Sequence, residues 1–160
     1  LYVNGGITAA VWAPTAQNVR LLTFNDNKTE AASFNMTEDP ATGIWSYNGN
    51  MSLDRVLYRY EVTVFHPISG NVEVIEVTDP YSVSTSTNGR FSRFVNLNDD
   101  DLKPAGWDAH AIPTIANWED AVIYEGHIRD FSVRDESTSE ANRGKYLAFT
   151  EEGTAPVMHL

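Results

Sequence analysis

Val56-Leu-Tyr-Arg-Tyr-Glu-Val-Thr-Val-Phe65 is the segment that decides the fold of this chain. Apolar and aromatic side chains occupy alternate positions from Val56 to Val64, and polar side chains lie between them, namely Arg59, Glu61 and Thr63. A period of two sustained over ten residues is typical of a strand with one buried face and one wet face. The segment therefore predicts an antiparallel sheet that packs one side on a core.

Six further segments on either side of this strand have the same character. Each is short and apolar or alternating, and turn-forming residues such as Asn25-Asp-Asn-Lys28 and Asp39-Pro-Ala-Thr-Gly43 separate them. The predicted strands are Ile7–Ala13, Val19–Phe24, Ala31–Met36, Ile44–Tyr47, Val72–Val77 and Phe91–Leu97. Seven short strands at such spacing predict a mainly β fold, an immunoglobulin-like β-sandwich over residues 1–98.

Residues 99–120 differ from the sandwich and are predicted to connect it to a second domain. Pro104, Gly106 and Pro113 disfavour regular structure there. The run Asp99-Asp-Asp101 offers clustered carboxylates of the kind that calcium binds. The run lacks the spaced ligands and the following glycine of a calcium loop, so a solvated turn is the favoured interpretation.

The apolar run from Ala121 to Phe131 predicts a buried parallel strand. Thr138 or Ser139 is expected to cap a short helix that ends at Gly144, and Thr154 is expected to begin another with Pro156 in its first turn. A strand followed by a helix is the unit of parallel α/β folds. One such unit cannot close a sheet, so residues 121–160 are expected to pack on the sandwich, to pack on residues outside this sequence, or to stay poorly ordered.

Composition excludes several classes of function. The 160 residues carry 11 basic and 22 acidic side chains, a net charge of −11. Such a charge repels phosphate backbones and anionic lipid surfaces, so nucleic acid is not an expected partner. The absence of cysteine removes disulfides and thiolate catalysis. No apolar window is long enough to span a bilayer, and the start at Leu1 without a signal peptide suggests a processed or excised piece.

Five blocks of this sequence resemble bacterial type I pullulanases, which are debranching enzymes of the alpha-amylase superfamily. The blocks follow the family's order and cover nearly the whole chain. They are Val11-Trp-Ala-Pro14, Val77-Thr-Asp-Pro-Tyr-Ser-Val-Ser84, Leu97-Asn-Asp-Asp-Asp-Leu-Lys-Pro-Ala-Gly-Trp-Asp108, Val122-Ile-Tyr-Glu-Gly-His-Ile-Arg-Asp-Phe-Ser132 and Arg143-Gly-Lys-Tyr-Leu-Ala-Phe-Thr150. The resemblance implies a family-48 carbohydrate-binding module, an early-set immunoglobulin-like sandwich. It also implies that residues 121–160 are the truncated start of a catalytic (β/α)8 barrel, with the first barrel strand around Tyr124 and the start of the first helix after it.

The resemblance also implies what the parent protein does. Enzymes of this family cleave α-1,6 links in pullulan and branched starch with retention, using an Asp nucleophile, a Glu acid/base and a second Asp on later barrel strands. The chain is therefore expected to hold no catalytic residue and no cofactor, although the parent could carry calcium. Its expected partners are an α-glucan (pullulan, starch or glycogen) and the remainder of the barrel, in a bacterial protein that is secreted or displayed at the cell surface.

Two side chains are the candidates for carbohydrate binding. Arg59 matches the basic residue that follows a tyrosine in glycan-binding members of the family, and Trp45 follows a turn where its ring could meet a sugar. Glycan-binding members also carry a Trp at two loop positions. The corresponding loops here, Phe24–Lys28 and Ile68–Asn71, contain no Trp. Trp12, Tyr58 and Tyr60 are expected in the core.

The favoured role is a structural module that braces the barrel, and the other role considered is a starch- or glycogen-binding module. Buried aromatics and an apolar outer patch would favour the first role. An exposed Trp or Tyr beside Arg59 would favour the second. A stand-alone binding module without enzymatic activity is the alternative to a piece of an enzyme. His127 and Asp130 are expected to have structural roles.

Overall fold

The computed structural model describes residues Leu1–His159. Its contacts divide the chain into two compact units, Leu1–Asp108 and a second unit that begins at Ala109. Each unit is described by itself. The boundaries drawn from the sequence, after residues 98 and 120, stay a prediction.

The first unit is built from nine strands in two antiparallel sheets. The first sheet has the order β1-β2-β6-β5, and the second has the order β4-β3-β7-β8 with β9 also paired to β7. The strands are β1 (Tyr2–Val3), β2 (Gly6–Trp12), β3 (Ala16–Phe24), β4 (Glu30–Asn35), β5 (Thr37–Asp39), β6 (Ile44–Asn50), β7 (Leu57–His66), β8 (Asn71–Val77) and β9 (Ser92–Arg93). The predicted mainly β fold with two sheets is confirmed.

The core lies between the two sheets. Inward side chains of β2 and β6 meet those of β3 and β7, and Met36, Leu53 and Phe94 belong to the same cluster. The Tyr58 ring stacks on Phe94 with centroids 3.9 Å apart, and Tyr60 is fully buried. The expectation that both tyrosines belong to the core is confirmed.

A smaller apolar cluster covers part of the outer face of the second sheet. Leu22, Phe24 and Leu57 point away from the main core, and Phe91 from the loop before β9 packs over them. The Phe24 and Phe91 rings meet edge to face with centroids 4.9 Å apart. The second sheet is therefore buried on both sides at this end.

Most predicted strands of the sandwich are present, with two differences. The segment Phe91–Leu97 was predicted as a full strand, but only Ser92–Arg93 pairs with β7. Phe91 packs outward over the second sheet while Phe94 packs into the core, so these aromatics serve two clusters rather than one strand face. The short strands β1 and β5 were not predicted, because two or three residues carry no measurable period.

Residues 99–109 form two short 3-10 turns, at Asp100–Leu102 and Trp107–Ala109, and no strand. The aspartate run is tied to Arg55, whose guanidinium lies 2.6 Å from Asp99 and 2.9 Å from Asp101. Arg55 itself has a left-handed backbone with φ of 61°. Asp99 and Asp101 therefore share one arginine, and the Asp100 carboxylate lies 3.6 Å from the Lys103 ammonium.

The strand predicted for Ala121–Phe131 is not present in the structure. Within residues 1–159 no neighbouring strand hydrogen-bonds to this segment, and helix α1 begins at Ile128 and runs to Ser132. Val122 and Ile123 are almost fully exposed, at 94% and 91%. An apolar run becomes a strand only when a partner satisfies its backbone, so periodicity alone was insufficient.

The rest of the second unit is made of turns and one short helix. The helix expected after Thr138 or Ser139 is wrong: residues 140–144 form turns in which the Asn142 and Arg143 amides donate to the Ser139 carbonyl. Residues Tyr146–Thr150 form a 3-10 turn, and α2 spans Ala155–His159. The predicted helix start at Thr154, with Pro156 in the first turn, is confirmed. No described helix combines the length and apolar character needed to cross a bilayer.

Candidate functional site

Arg59 lies on the outer face of the second sheet. The flanking Tyr58 and Tyr60 point into the core, so alternation along β7 places Arg59 outward. Its guanidinium donates to the Glu76 carboxylate at 2.6 Å and to the Glu76 carbonyl at 2.8 Å. It also lies over the Phe91 ring, 5.8 Å from the centroid. Arg59 is therefore fixed in place by β8 and by the loop aromatic.

The hydrogen-bonding capacity left at Arg59 is small. Only 16% of its side chain is exposed, while 46% of the Glu76 side chain is exposed. In the part of the chain that the structure describes, Arg59 Nε has no hydrogen-bond partner. A sugar hydroxyl at this surface would meet Glu76 at least as readily as Arg59. The sequence did not indicate Glu76 as a site residue, because its pairing with Arg59 depends on the register between β7 and β8.

Beyond Arg59, the same outer face becomes apolar. The register pairs Phe65 with Val72 and Thr63 with Val74, which places these four side chains side by side. Phe65, Val72 and Val74 are each at least half exposed. This outer patch, defined by Phe65, Val72 and Val74, is the feature expected of a module that supports another protein surface.

Trp45 lies in the core rather than at the surface. Only 7% of it is exposed, and its indole nitrogen donates to the Ala13 carbonyl at 3.1 Å. Trp45 points inward from the first sheet, whereas Arg59 points outward from the second. The structure does not bring the two candidates together, and a carbohydrate contact by either of them stays a prediction.

Trp12 is exposed, so the expectation that it packs in the core is wrong. Ile7, Ala9 and Val11 of β2 point inward, and the strict alternation of the strand leaves Trp12 on the outer face with 62% of its surface exposed. Alternation along β2 thus outweighs the general tendency of tryptophan to be buried. The indole nitrogen donates to the Thr42 carbonyl at 3.1 Å.

A buried carboxylate holds the loop that follows β8. Asp79 accepts hydrogen bonds from the Tyr58 hydroxyl at 2.6 Å, the Tyr60 hydroxyl at 3.3 Å and the Tyr81 amide at 2.8 Å. Its own amide donates to the Ser92 hydroxyl at 3.2 Å. The block Val77–Ser84 therefore contains a structural anchor, which the sequence alone did not reveal.

Both tyrosines of this network stay protonated far into the alkaline range. Burial raises the pKa of Tyr58, and its hydrogen bond to Asp79 raises that pKa further. Burial also raises the pKa of Tyr60, with the negative charge of Asp79 as the second cause. A tyrosine that donates to a carboxylate does not act as a base, so the network is suited to structure rather than to proton transfer.

The polar side chains of the second unit do not form a metal site. His127 Nδ1 lies 3.6 Å from Asp130, and both side chains are about three-quarters exposed. The Tyr124 hydroxyl and His159 Nε2 are 3.1 Å apart, beside the Phe131 ring. Among residues 1–159 no group of three or more acidic, histidine or cysteine side chains is placed to hold a metal ion.

This sandwich is that of a carbohydrate-binding module. The chain belongs to the carbohydrate-binding module 48 family (isoamylase N-terminal domain), whose profile matches residues 2–82. It is 47% identical to a pullulanase of Klebsiella aerogenes over 98% of its own length, and 40% identical to the chloroplastic pullulanase 1 of Arabidopsis thaliana over 97%. The chain spans 15% and 16% of the length of these two relatives.

A solved structure shows the same fold. The chain superposes on a crystal structure of Klebsiella pneumoniae pullulanase complexed with maltotriose with a TM-score of 0.89 and 45% identity. The match covers 98% of this chain and 15% of that one. The resemblance to pullulanases stated from the sequence is confirmed.

Proposed function

We propose that this chain is the N-terminal part of a pullulanase-type glycoside hydrolase that cleaves α-1,6-glucosidic links in pullulan and branched starch with retention. The match to pullulanases carries the proposal, because it covers 98% of the chain and so continues beyond the module at residues 2–82. The catalytic Asp and Glu residues then lie in barrel strands outside this sequence, and the chain alone has no hydrolytic activity.

Residues 121–160 are proposed to supply the first strand and the start of the first helix of the barrel. The exposure of Val122, Ile123 and Tyr124 supports this assignment, since three consecutive exposed large apolar side chains need a surface to cover them. Residues 1–98 are the module and 99–120 the connector in this scheme. In the barrel, adjacent parallel strands would satisfy the backbone of residues 121–127.

The proposed role of the module is to brace the barrel and assist substrate binding. The outer patch of Phe65, Val72 and Val74 supports bracing, because exposed apolar side chains at the end of a sheet suit a protein contact. Secretion or display on a bacterial cell surface, and calcium in the parent enzyme, rest on the resemblance alone.

The alternative is a starch- or glycogen-binding module without enzymatic activity, which membership of the carbohydrate-binding family favours. Intact-mass measurement of the natural product separates the two. A polypeptide several times longer than 160 residues is expected. A natural protein that ends at Leu160 would contradict the proposal that the chain is part of a glycoside hydrolase.

Activity and binding assays complete the test. The longer polypeptide should release reducing sugar from pullulan, and the purified 160-residue chain should release none. Affinity electrophoresis in gels with and without pullulan then examines the module. Retardation that Arg59→Ala abolishes would favour direct binding at Arg59. Trp45 is buried, so loss of retardation in Trp45→Ala counts as binding only if the variant unfolds at the same urea concentration as the unchanged chain. Phe65→Ser in the longer polypeptide should weaken its stability if the outer patch braces the barrel.

A further inference from the structure

The outer face of the first sheet carries an exposed tryptophan among small and polar neighbours. Antiparallel register pairs Trp12 with Ile44, Ala10 with Ser46 and Thr8 with Asn48 across β2 and β6. Paired residues of an antiparallel ladder share a face, so all six side chains lie on the side opposite the core. These six residues define the Trp12 face.

The six residues of the Trp12 face carry no charge. The neighbouring strand β5 places Asp39 opposite Ile44 on the same side of the sheet, where its carboxylate accepts from the Thr42 hydroxyl and the Ala41 amide. The polar groups of the Trp12 face are two hydroxyls and one amide. Thr8 Oγ1 donates to Asn48 Oδ1 at 2.8 Å, which fixes the amide, and no hydrogen bond from Asn48 Nδ2 is present within residues 1–159. The face can therefore donate hydrogen bonds to neutral oxygen atoms.

The indole of Trp12 is held in one orientation. Its nitrogen donates to the Thr42 carbonyl, and Thr42 is itself fixed because its hydroxyl donates to the Asp39 carboxylate at 2.9 Å. The Gly43 amide donates to the Asp39 carbonyl at 2.8 Å in the same turn. An aromatic side chain fixed before binding loses little conformational freedom when a ligand stacks on it.

We propose that the Trp12 face binds a linear α-glucan, with a glucose ring stacked on the Trp12 indole and sugar hydroxyls accepting from Asn48 and Ser46. The identity of the sugar rests on the proposed function. The apolar side of a pyranose ring matches the flat indole surface, and the hydroxyls match an uncharged polar strip. The Trp12 face extends about 14 Å from Trp12 to Thr8, since a strand rises ~3.4 Å per residue.

This surface is distinct from the one around Arg59. Trp12 and its neighbours point outward from the first sheet, while Arg59 points outward from the second, so the core separates them. A protein partner would find few apolar groups here, because Ala10 is small and only Trp12 and Ile44 are large. Half of the residues in the Trp12 face are polar, whereas the outer patch on the second sheet consists only of apolar side chains.

The experiment follows the four tryptophan indole signals in two-dimensional proton–nitrogen NMR spectra of the 160-residue chain, assigned with single Trp→Phe variants. Maltoheptaose should shift the Trp12 signal and leave the Trp45 signal in place. Trp12→Ala should weaken binding about tenfold, which is ~1.4 kcal/mol. Trp107→Ala is the matched control, since Trp107 is 61% exposed and lies off this face. Asn48→Ala tests the polar strip with less risk to the fold.

The outcomes separate this proposal from the proposed function. Binding that Trp12→Ala and Asn48→Ala weaken, but Trp107→Ala does not, supports it. If neither maltoheptaose nor cellohexaose shifts the Trp12 signal, the proposal that the Trp12 face binds sugar is overturned, while the proposed function is left standing. A shift with cellohexaose only would overturn the α-glucan assignment and contradict the proposed function as well. Binding lost in Arg59→Ala but kept in Trp12→Ala, or a Trp12 shift that depends on protein concentration without sugar, would also overturn the proposal.

Discussion

The hydroxyl of Tyr58 donates a 2.6 Å hydrogen bond to the buried carboxylate of Asp79. This contact joins the longest strand of the second sheet to the loop after β8, and no basic side chain hydrogen-bonds to Asp79 within residues 1–159. The hydrogen bonds to the Asp79 carboxylate come from two tyrosine hydroxyls and one backbone amide. The loop therefore depends on neutral donors that strand β7 places at the edge of the core.

Removing the Asp79 carboxylate should destabilise the sandwich. Asp79→Ala leaves the Tyr58 hydroxyl without its acceptor, at a cost of about 1–3 kcal/mol for an unsatisfied group, whereas the Tyr60 hydroxyl keeps the Ala10 carbonyl at 3.4 Å. Asp79→Asn should cost less because its amide oxygen still accepts. Urea unfolding measures both, with Glu30→Gln as an exposed control. Equal unfolding free energies for Asp79→Ala and Glu30→Gln would show that the network does not hold the loop.

Alkaline pH should destabilise the protein through the same tyrosines. Their pKa values are raised in the folded state, so their contribution is fully present below the unfolded value of about 10. It is lost as the pH rises above that value, because the unfolded chain releases tyrosine protons first. Each such group changes the unfolding free energy by ~1.4 kcal/mol per pH unit.

Tyr60→Phe isolates one of these groups. Chemical unfolding between pH 10 and 11 should show a shallower loss of stability for Tyr60→Phe than for the unchanged chain. Between pH 7 and 8 the two slopes should coincide, since tyrosine is protonated in both states there. Identical slopes above pH 10 would count against the raised pKa of Tyr60.

Gly43 should tolerate a side chain poorly for two separable reasons. Its φ is +72°, and an added Cβ would lie 2.6 Å from the Pro14 Cβ. Gly70 has a similar φ of +69° but has no atom within 4 Å of an added Cβ. Gly70→Ala should therefore cost only the left-handed penalty of about 1–2 kcal/mol. Gly43→Ala should cost more, and thermal unfolding that ranks the two variants equally would exclude the Pro14 contact as a cause.

Acid should loosen a loop of the second unit. The Asp135 carboxylate accepts from the Thr138 hydroxyl at 2.6 Å and the Ser137 hydroxyl at 2.7 Å, and these bonds lower its pKa. Its stabilising effect is present above the unfolded value of about 3.9 and is lost as the pH falls through the lower folded value. Carbon NMR titration should find the Asp135 midpoint below 3.9 and find it raised in Thr138→Val. A midpoint unchanged by Thr138→Val would argue against this hydrogen bond.

The sandwich was predictable where one physical signal governed each segment. In β7 the two-residue period alone decides which side chains enter the core, so Tyr58, Tyr60 and the outward Arg59 were placed correctly. Around Phe91 the aromatics serve different clusters, and no period describes them. For residues 121–127 the apolar run is real, but a strand also needs a neighbour, which periodicity cannot supply.

The candidate surfaces were less predictable than the fold. The pairing of Arg59 with Glu76 depends on register between β7 and β8, and the burial of Trp45 depends on contacts across both sheets. The exposure of Trp12 followed from alternation with Val11, yet a general rule about tryptophan suggested the reverse. Local pattern was the better guide where the two disagreed.

The cluster of Leu22, Phe24, Leu57 and Phe91 gives the two sheets unequal resistance to fluctuation. Strands β3 and β7 are covered on both faces near this cluster, whereas β2 and β6 are covered on one. Amide hydrogens of Leu22 and Tyr58 should therefore exchange with solvent only through complete unfolding, while those of Ala10 and Ser46 should exchange through smaller local openings. The first sheet, which carries the Trp12 face, is thus expected to open locally before the second sheet does.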